Sequence, residues 1–142
     1  MNDTPTLPLR RLRRTLQANA MFSIVSGTTA LIAGSWVSRT LGIDHVALTR
    51  VLGAGLVAFA AIVFATARAD AGRLRRDSLL VSLADAGWVL GTVVVVTTGI
   101  LTPTGDLVAV VIAVMVADFG TAQYWFRSRS TAVRRPLGAA TV

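Results

Sequence analysis

Four stretches with almost no charge constrain this chain more than any other feature. Thr15 to Ser38 and Val51 to Ala67 carry no charged side chain at all. Ser78 to Gly105 is interrupted only by Asp85, and Leu107 to Phe126 only by Asp118. A helix crosses a hydrocarbon core of about 30 Å with roughly 20 apolar residues. Each stretch is therefore read as one crossing, with spans near 19–42, 47–67, 79–101 and 105–126. Gly42 and Asp44 separate the first pair, and Thr102-Pro103-Thr104-Gly105 forms a tight turn between the last pair, since Pro and Gly both end helices. The expected fold is all-α: four transmembrane helices in an antiparallel bundle. Residues 1–18 are expected to form a basic N-terminal segment, and 127–142 a basic, disordered tail.

Composition agrees. Of 142 residues, 54% are hydrophobic and 15% charged, too apolar for a soluble domain of this length. Every basic residue is Arg, every acidic residue is Asp, and Cys, Lys and Glu are absent. Without Cys there is no disulfide, thiol chemistry or thiolate metal site. A single His, His45, makes bis-His haem ligation and a multi-His metal site poor readings, so neither cofactor nor metal is expected. No nucleophile–base pair stands at a plausible spacing, which argues against an enzyme and leaves no catalytic residue to name.

The net charge of +7 is not spread evenly. Arg10, Arg11, Arg13 and Arg14 precede the first span. Arg68, Arg73, Arg75 and Arg76 fill the middle connection, and Arg127, Arg129, Arg134 and Arg135 follow the last span. Only Arg39 and Arg50 fall on the other side. Short Arg-rich loops stay cytoplasmic, so both termini are expected inside. The all-Arg, Ala- and Val-rich usage fits a GC-rich bacterial genome, and the expected location is the bacterial cytoplasmic membrane. Topology alone accounts for the Arg clusters, so anionic lipid headgroups, not nucleic acid, are their expected contacts. Arg10, Arg11, Arg13, Arg14, Arg73, Arg75, Arg76, Arg127 and Arg129 are the candidates.

Asn19-Ala20-Met21-Phe22-Ser23 with Ser26-Gly27, followed by Trp88-Val89-Leu90-Gly91, resembles a group of uncharacterised small bacterial membrane proteins with four spans. The resemblance implies the architecture and no activity.

Small residues recur four apart and nominate helix-packing faces. Ser23 with Gly27, and Ser26, Ala30 and Gly34, do so in the first span, Ala54, Ala58, Ala61 and Ala65 in the second, Gly87 and Gly91 in the third, and Ala113 and Ala117 in the fourth. These faces are expected to close the bundle, with Gly87/Gly91 the best homodimer face.

The two intramembrane aspartates share a tetrad, Ala-Asp-x-Gly, which also occurs in the middle loop as Ala69-Asp70-Ala71-Gly72. Counting from the outer turn at about 1.5 Å per residue puts Asp85 roughly 24 Å and Asp118 roughly 20 Å deep. Asn19, Ser23 and Ser26 enter the same layer from the first span, and Thr121 and Gln123 border it. A carboxylate at such a depth costs a few kcal/mol, which marks these residues as functional candidates. Two roles compete: polar glue that fixes helix packing, and a proton or cation site built from Asp85, Asp118, Asn19, Ser23 and Ser26. The expected function is a non-enzymatic helix-packing and interaction module, with a homodimer or another membrane protein as its partner. The alternative is a small oligomeric proton- or cation-linked transporter or channel.

Overall fold

The computed structural model describes residues 7–132, with side chains described through 130. The terminal part of the tail expected to be disordered, 133–142, lies outside the described residues. Five helices make up the described chain: α1 (Leu7–Ile32), α2 (Gly34–Leu41), α3 (Val46–Arg68), α4 (Ala71–Thr98) and α5 (Pro103–Ala132). There is no strand among the described residues. α3, α4 and α5 are each long and apolar enough to cross a membrane, and the bent pair α1–α2 makes a fourth candidate if it counts as one span.

Helix ends follow local chemistry. Asp70 caps α4 by accepting hydrogen bonds from the backbone N–H groups of Gly72 (3.0 Å) and Arg73 (2.9 Å). α5 opens on Pro103, whose missing N–H costs nothing in the first turn, and Thr102 Oγ1 accepts from Gly105 N–H at 3.0 Å. α2 stops at Gly42, which adopts a φ of 80° that a residue with a Cβ resists.

α1 is the central element. Its buried positions Leu9, Leu12, Leu16, Asn19, Ser23, Gly27 and Ala30 recur at intervals of three or four residues. Such a stripe faces its neighbours continuously along the helix. Leu9, Leu12, Leu16 and Ala20 pack with Val63 and Ala67 of α3 and Leu74 and Val81 of α4 to form the apolar core. This core lies at the Arg-rich end. At mid-length α1 crosses α3 with backbone almost touching backbone. A Cβ added to Gly27 would lie 2.7 Å from Gly53 O, and one added to Gly53 would lie 2.8 Å from Gly27 O.

The first span, expected near 19–42, is divided between two helices. α1 is already helical at Leu7, and Leu9, Leu12 and Leu16 bury one face while Arg10, Arg11 and Arg14 stay exposed on the other. The helix then ends at Ile32, and α2 turns away by 97°. A helix of 26 residues already extends about 39 Å, so the last apolar turns are surplus to a crossing. The break falls at Ala33-Gly34-Ser35, where small residues bend easily. Two contacts hold α2 across the end of the bundle. Ser38 Oγ meets Thr49 Oγ1 at 2.7 Å, both side chains buried, and Thr102 donates to the carbonyls of Leu41 and Thr40.

α4 and α5 stay together near the Arg-rich end, where Arg127 Nε donates to Arg75 O at 2.8 Å. Toward the other end a shallow apolar groove opens between them, lined by residues such as Val93, Val96, Val110 and Val114.

Candidate functional site

The layer expected from the sequence exists around one aspartate, not two. Asp85 projects from α4 into the junction with α1 and α5 and is 3% exposed. Asn19 of α1 donates from Nδ2 to Asp85 Oδ2 at 2.9 Å, and Gln123 of α5 donates from Nε2 to the same oxygen at 3.0 Å. Both amide side chains are fully buried. Gln123 Oε1 in turn accepts from Ser82 Oγ at 3.4 Å, and Ser82 also donates to Ser78 O. Ser78 is itself buried. One carboxylate oxygen thus ties three helices together.

Glycine makes room for it. A Cβ on Gly120 would stand 3.5 Å from Asp85 Cβ, in ordinary contact, so any longer side chain there would press on the carboxylate. Gly120 belongs to the second intramembrane tetrad. That tetrad therefore supplies its glycine to the site and turns its aspartate away.

Asp118 is exposed on the outer face of α5. Two residues along a helix are about 200° apart, so a helix that aims Gly120 at Asp85 must aim Asp118 outward. Ser23 is buried one turn beyond Asn19 but does not bond to Asp85, and Ser26 is half-buried. The five candidate residues therefore separate: Asp85 and Asn19 meet, Ser23 and Ser26 only border them, and Asp118 stands apart. Gln123, named only as a bordering residue in the sequence, is a direct partner.

The donor set decides what this centre can do. Asp85 Oδ2 already receives two N–H groups, and N–H groups repel a cation. Asn19 Oδ1 is buried with no partner, as is Trp88 Nε1 one turn along α4. Among the described residues no three of His, Cys, Asp and Glu gather to hold a metal ion.

The small-residue faces sort unevenly. Gly27 and Gly34 are buried, Gly34 against the Arg50 side chain. Ala113 is buried and Ala117 exposed. Gly87 and Gly91 have nothing within 4 Å of an added Cβ, so they do not close this chain's own bundle. The alanine stripe of α3 also misses the packing face: Ala54, Ala58, Ala61 and Ala65 are all exposed, while Thr49, Gly53, Ala60, Val63 and Ala67 are buried. Gly53 is the packing residue that the four-residue spacing missed. Its only sequence signal is the Gly53-Ala54-Gly55 run itself.

The arginines divide too. Arg13 donates to Ala67 O (2.9 Å) and Ala69 O (2.7 Å), capping the last carbonyls of α3. Arg127 is engaged with Arg75 O. Arg75 is half-buried, its Nε without a partner. Arg10, Arg11, Arg14, Arg73, Arg76 and Arg129 are exposed; Arg76 pairs with neighbouring Asp77, and Arg129 lies over the Trp125 ring.

No protein family, curated protein or solved structure matches the chain, so the reading of its site rests on its own geometry.

Proposed function

We propose that this chain is an integral protein of the bacterial cytoplasmic membrane and acts as a non-enzymatic helix-packing and interaction module. It crosses four times as an antiparallel bundle, the bent pair α1–α2 supplying the first crossing, with both termini cytoplasmic. The Arg clusters at the start of α1, the start of α4 and the end of α5 support that orientation. Exposed Arg10, Arg11, Arg14, Arg73, Arg76 and Arg129 then face anionic headgroups of the inner leaflet.

One observation carries the packing role: both hydrogen bonds to Asp85 come from amides on two other helices and converge on a single oxygen. Such an arrangement is built to hold helices, since removing its acceptor strands two buried donors. Thermal melting in detergent tests it. Asp85→Leu should lower the melting temperature strongly, and neither wild type nor variant should respond to added monovalent or divalent cations. A wild-type melting temperature that rises with a particular cation, lost in Asp85→Asn, would overturn the reading.

A second reading has one specific support. The unpartnered Asn19 Oδ1 beside Asp85 leaves polar capacity for a proton-bearing species, as a small oligomeric proton- or cation-linked transporter or channel would require. Proton or cation flux into liposomes, abolished by Asp85→Asn in a variant that still folds, would favour transport over packing.

A further inference from the structure

We propose that the outer face of α5 is the contact for a second copy of this chain, with Asp118 meeting its own counterpart across a two-fold axis. The inference rests on the reading of the chain as a membrane-embedded interaction module. It names the surface and the occupant.

The face is laid out for helix pairing. Val111, Val114, Asp118, Thr121 and Trp125 are all exposed. They recur at intervals of three and four residues, the spacing that keeps one seam of a helix against a partner over several turns. Among the described residues no other helix packs over this seam: Arg129 of the same helix lies over the Trp125 ring, Val114 borders the groove toward α4, and α1 and α4 pack on the opposite face of α5 through Ala113, Val116, Gly120 and Gln123.

Asp118 is the second, independent observation. A carboxyl group facing hydrocarbon has no donor or acceptor in lipid and is costly there. No hydrogen bond or ion pair within the described residues reaches it. The Arg side chains lie toward the helix ends, and the amides of Asn19 and Gln123 are committed to Asp85.

The chemistry then selects the occupant. Around a two-fold axis parallel to α5, a residue in the middle of the seam faces itself. Two carboxyl groups so placed are mutually complementary: a protonated carboxyl donates its O–H to the oxygen of its mate. No other residue type need be supplied. Thr121, one turn along the seam, adds a hydroxyl donor on each side. The exposed glycines of α4 and alanines of α3 offer close approach but leave Asp118 in lipid. A polar residue in a hydrophobic seam also sets the register of the pair.

The absence of cysteine makes the test clean. Single cysteines replace Val111, Val114 or Thr121 on the seam, and Leu90 on α4 or Ala58 on α3 as controls, in the full chain in lipid nanodiscs or mild detergent. Oxidative or bis-maleimide cross-linking should give dimers from the three seam positions and not from the controls. Asp118→Leu should weaken dimerisation about tenfold in dissociation constant, as loss of one interhelical polar contact in a membrane implies. Asp118→Asn, which can still pair with itself, should keep most of it. The melting of the monomer should be unchanged by either substitution, which separates this test from that of Asp85. A monomeric wild type, the outcome expected if Asp118 instead awaits a cationic helix of a different protein, would overturn the proposal. So would cross-linking through Leu90→Cys or Ala58→Cys, or dimers indifferent to Asp118→Leu.

Discussion

The tetrads around Asp85 and Asp118 are almost the same words in two neighbouring helices, and their aspartates have opposite surroundings. Asp85 is buried and accepts from amides on α1 and α5. Asp118 is exposed on the outside of α5. Position along the bundle does not separate them, because Gly120 of the second tetrad sits beside Asp85, where an added Cβ would lie 3.5 Å from the Asp85 Cβ. Rotation does. α5 turns one flank of its tetrad to the site, and the aspartate on the other flank is carried outward. A third copy, at Ala69-Asp70-Ala71-Gly72, has a third use: its aspartate ends one helical hairpin and begins the next by capping α4. The motif is thus no site in itself, and its meaning comes from the helix that carries it.

The largest effects are steric. Gly27 and Gly53 sit where backbones meet, whereas Gly87 and Gly91 face open space. Gly27→Val should cost about 3 kcal/mol or prevent folding, because the obstructing atom is a backbone carbonyl that cannot move aside. Gly87→Val and Gly91→Val should stay within about 0.5 kcal/mol, as other exposed changes do. Denaturation in mixed micelles measures all three.

Next in size is Asp85→Leu. It leaves the amides of Asn19 and Gln123 buried without an acceptor, at about 1–3 kcal/mol for each stranded donor, and we expect about 3 kcal/mol in sum. Asp85→Asn keeps an acceptor oxygen but loses the charge that strengthens both bonds, and should cost roughly 1 kcal/mol. Asp118→Leu comes third, at under about 0.5 kcal/mol for the monomer, since it removes no internal contact. Its effect belongs to association.

The smallest effect concerns Asp70, which is exposed. The backbone N–H of Arg73, above all, and that of Gly72 stabilise its carboxylate and lower its pKa, aided by the charges of Arg73 and Arg13; partial desolvation opposes them. A carboxyl whose folded pKa lies below its unfolded one contributes stability above the unfolded value, and the contribution fades as pH falls through the folded one. Melting curves should therefore show a slight loss below about pH 4, which Asp70→Asn should flatten.

Much of this fold is legible in the sequence, because the long uncharged runs and the Pro and Gly at their ends are strong signals. Helix existence follows from them, and so does the tight turn at Thr102–Gly105. The start of α1 is harder. Counting charges assigns Arg10 to Arg14 to a tail, yet Leu9, Leu12 and Leu16 among them already carry the three-four spacing of a packed helix. The bend at Ala33 is invisible to hydropathy, since α2 is composed much like the end of α1 and is held by contacts distant in sequence, Ser38 with Thr49 and Thr102 with Leu41.

The candidate site was legible in depth and not in direction. Hydropathy places Asp85, Asp118, Asn19 and Gln123 in one layer, but the side each presents depends on how its helix is turned. That turn is set by packing along the rest of each helix, for α1 by its crossing with α3 at Gly27 and Gly53. The alanine spacing of α3 misleads for the same reason: small residues four apart mark a face able to pack, and α3 presents that face outward.

The most direct measurement compares Asp85→Leu and Asp118→Leu by thermal melting, at a protein-to-detergent ratio low enough to keep the chain monomeric. The Asp85 variant should melt roughly 10 °C below wild type and the Asp118 variant within about 2 °C of it. Equal losses, or a larger loss at Asp118, would contradict the assignment of one aspartate to the interior of the bundle and the other to its partner.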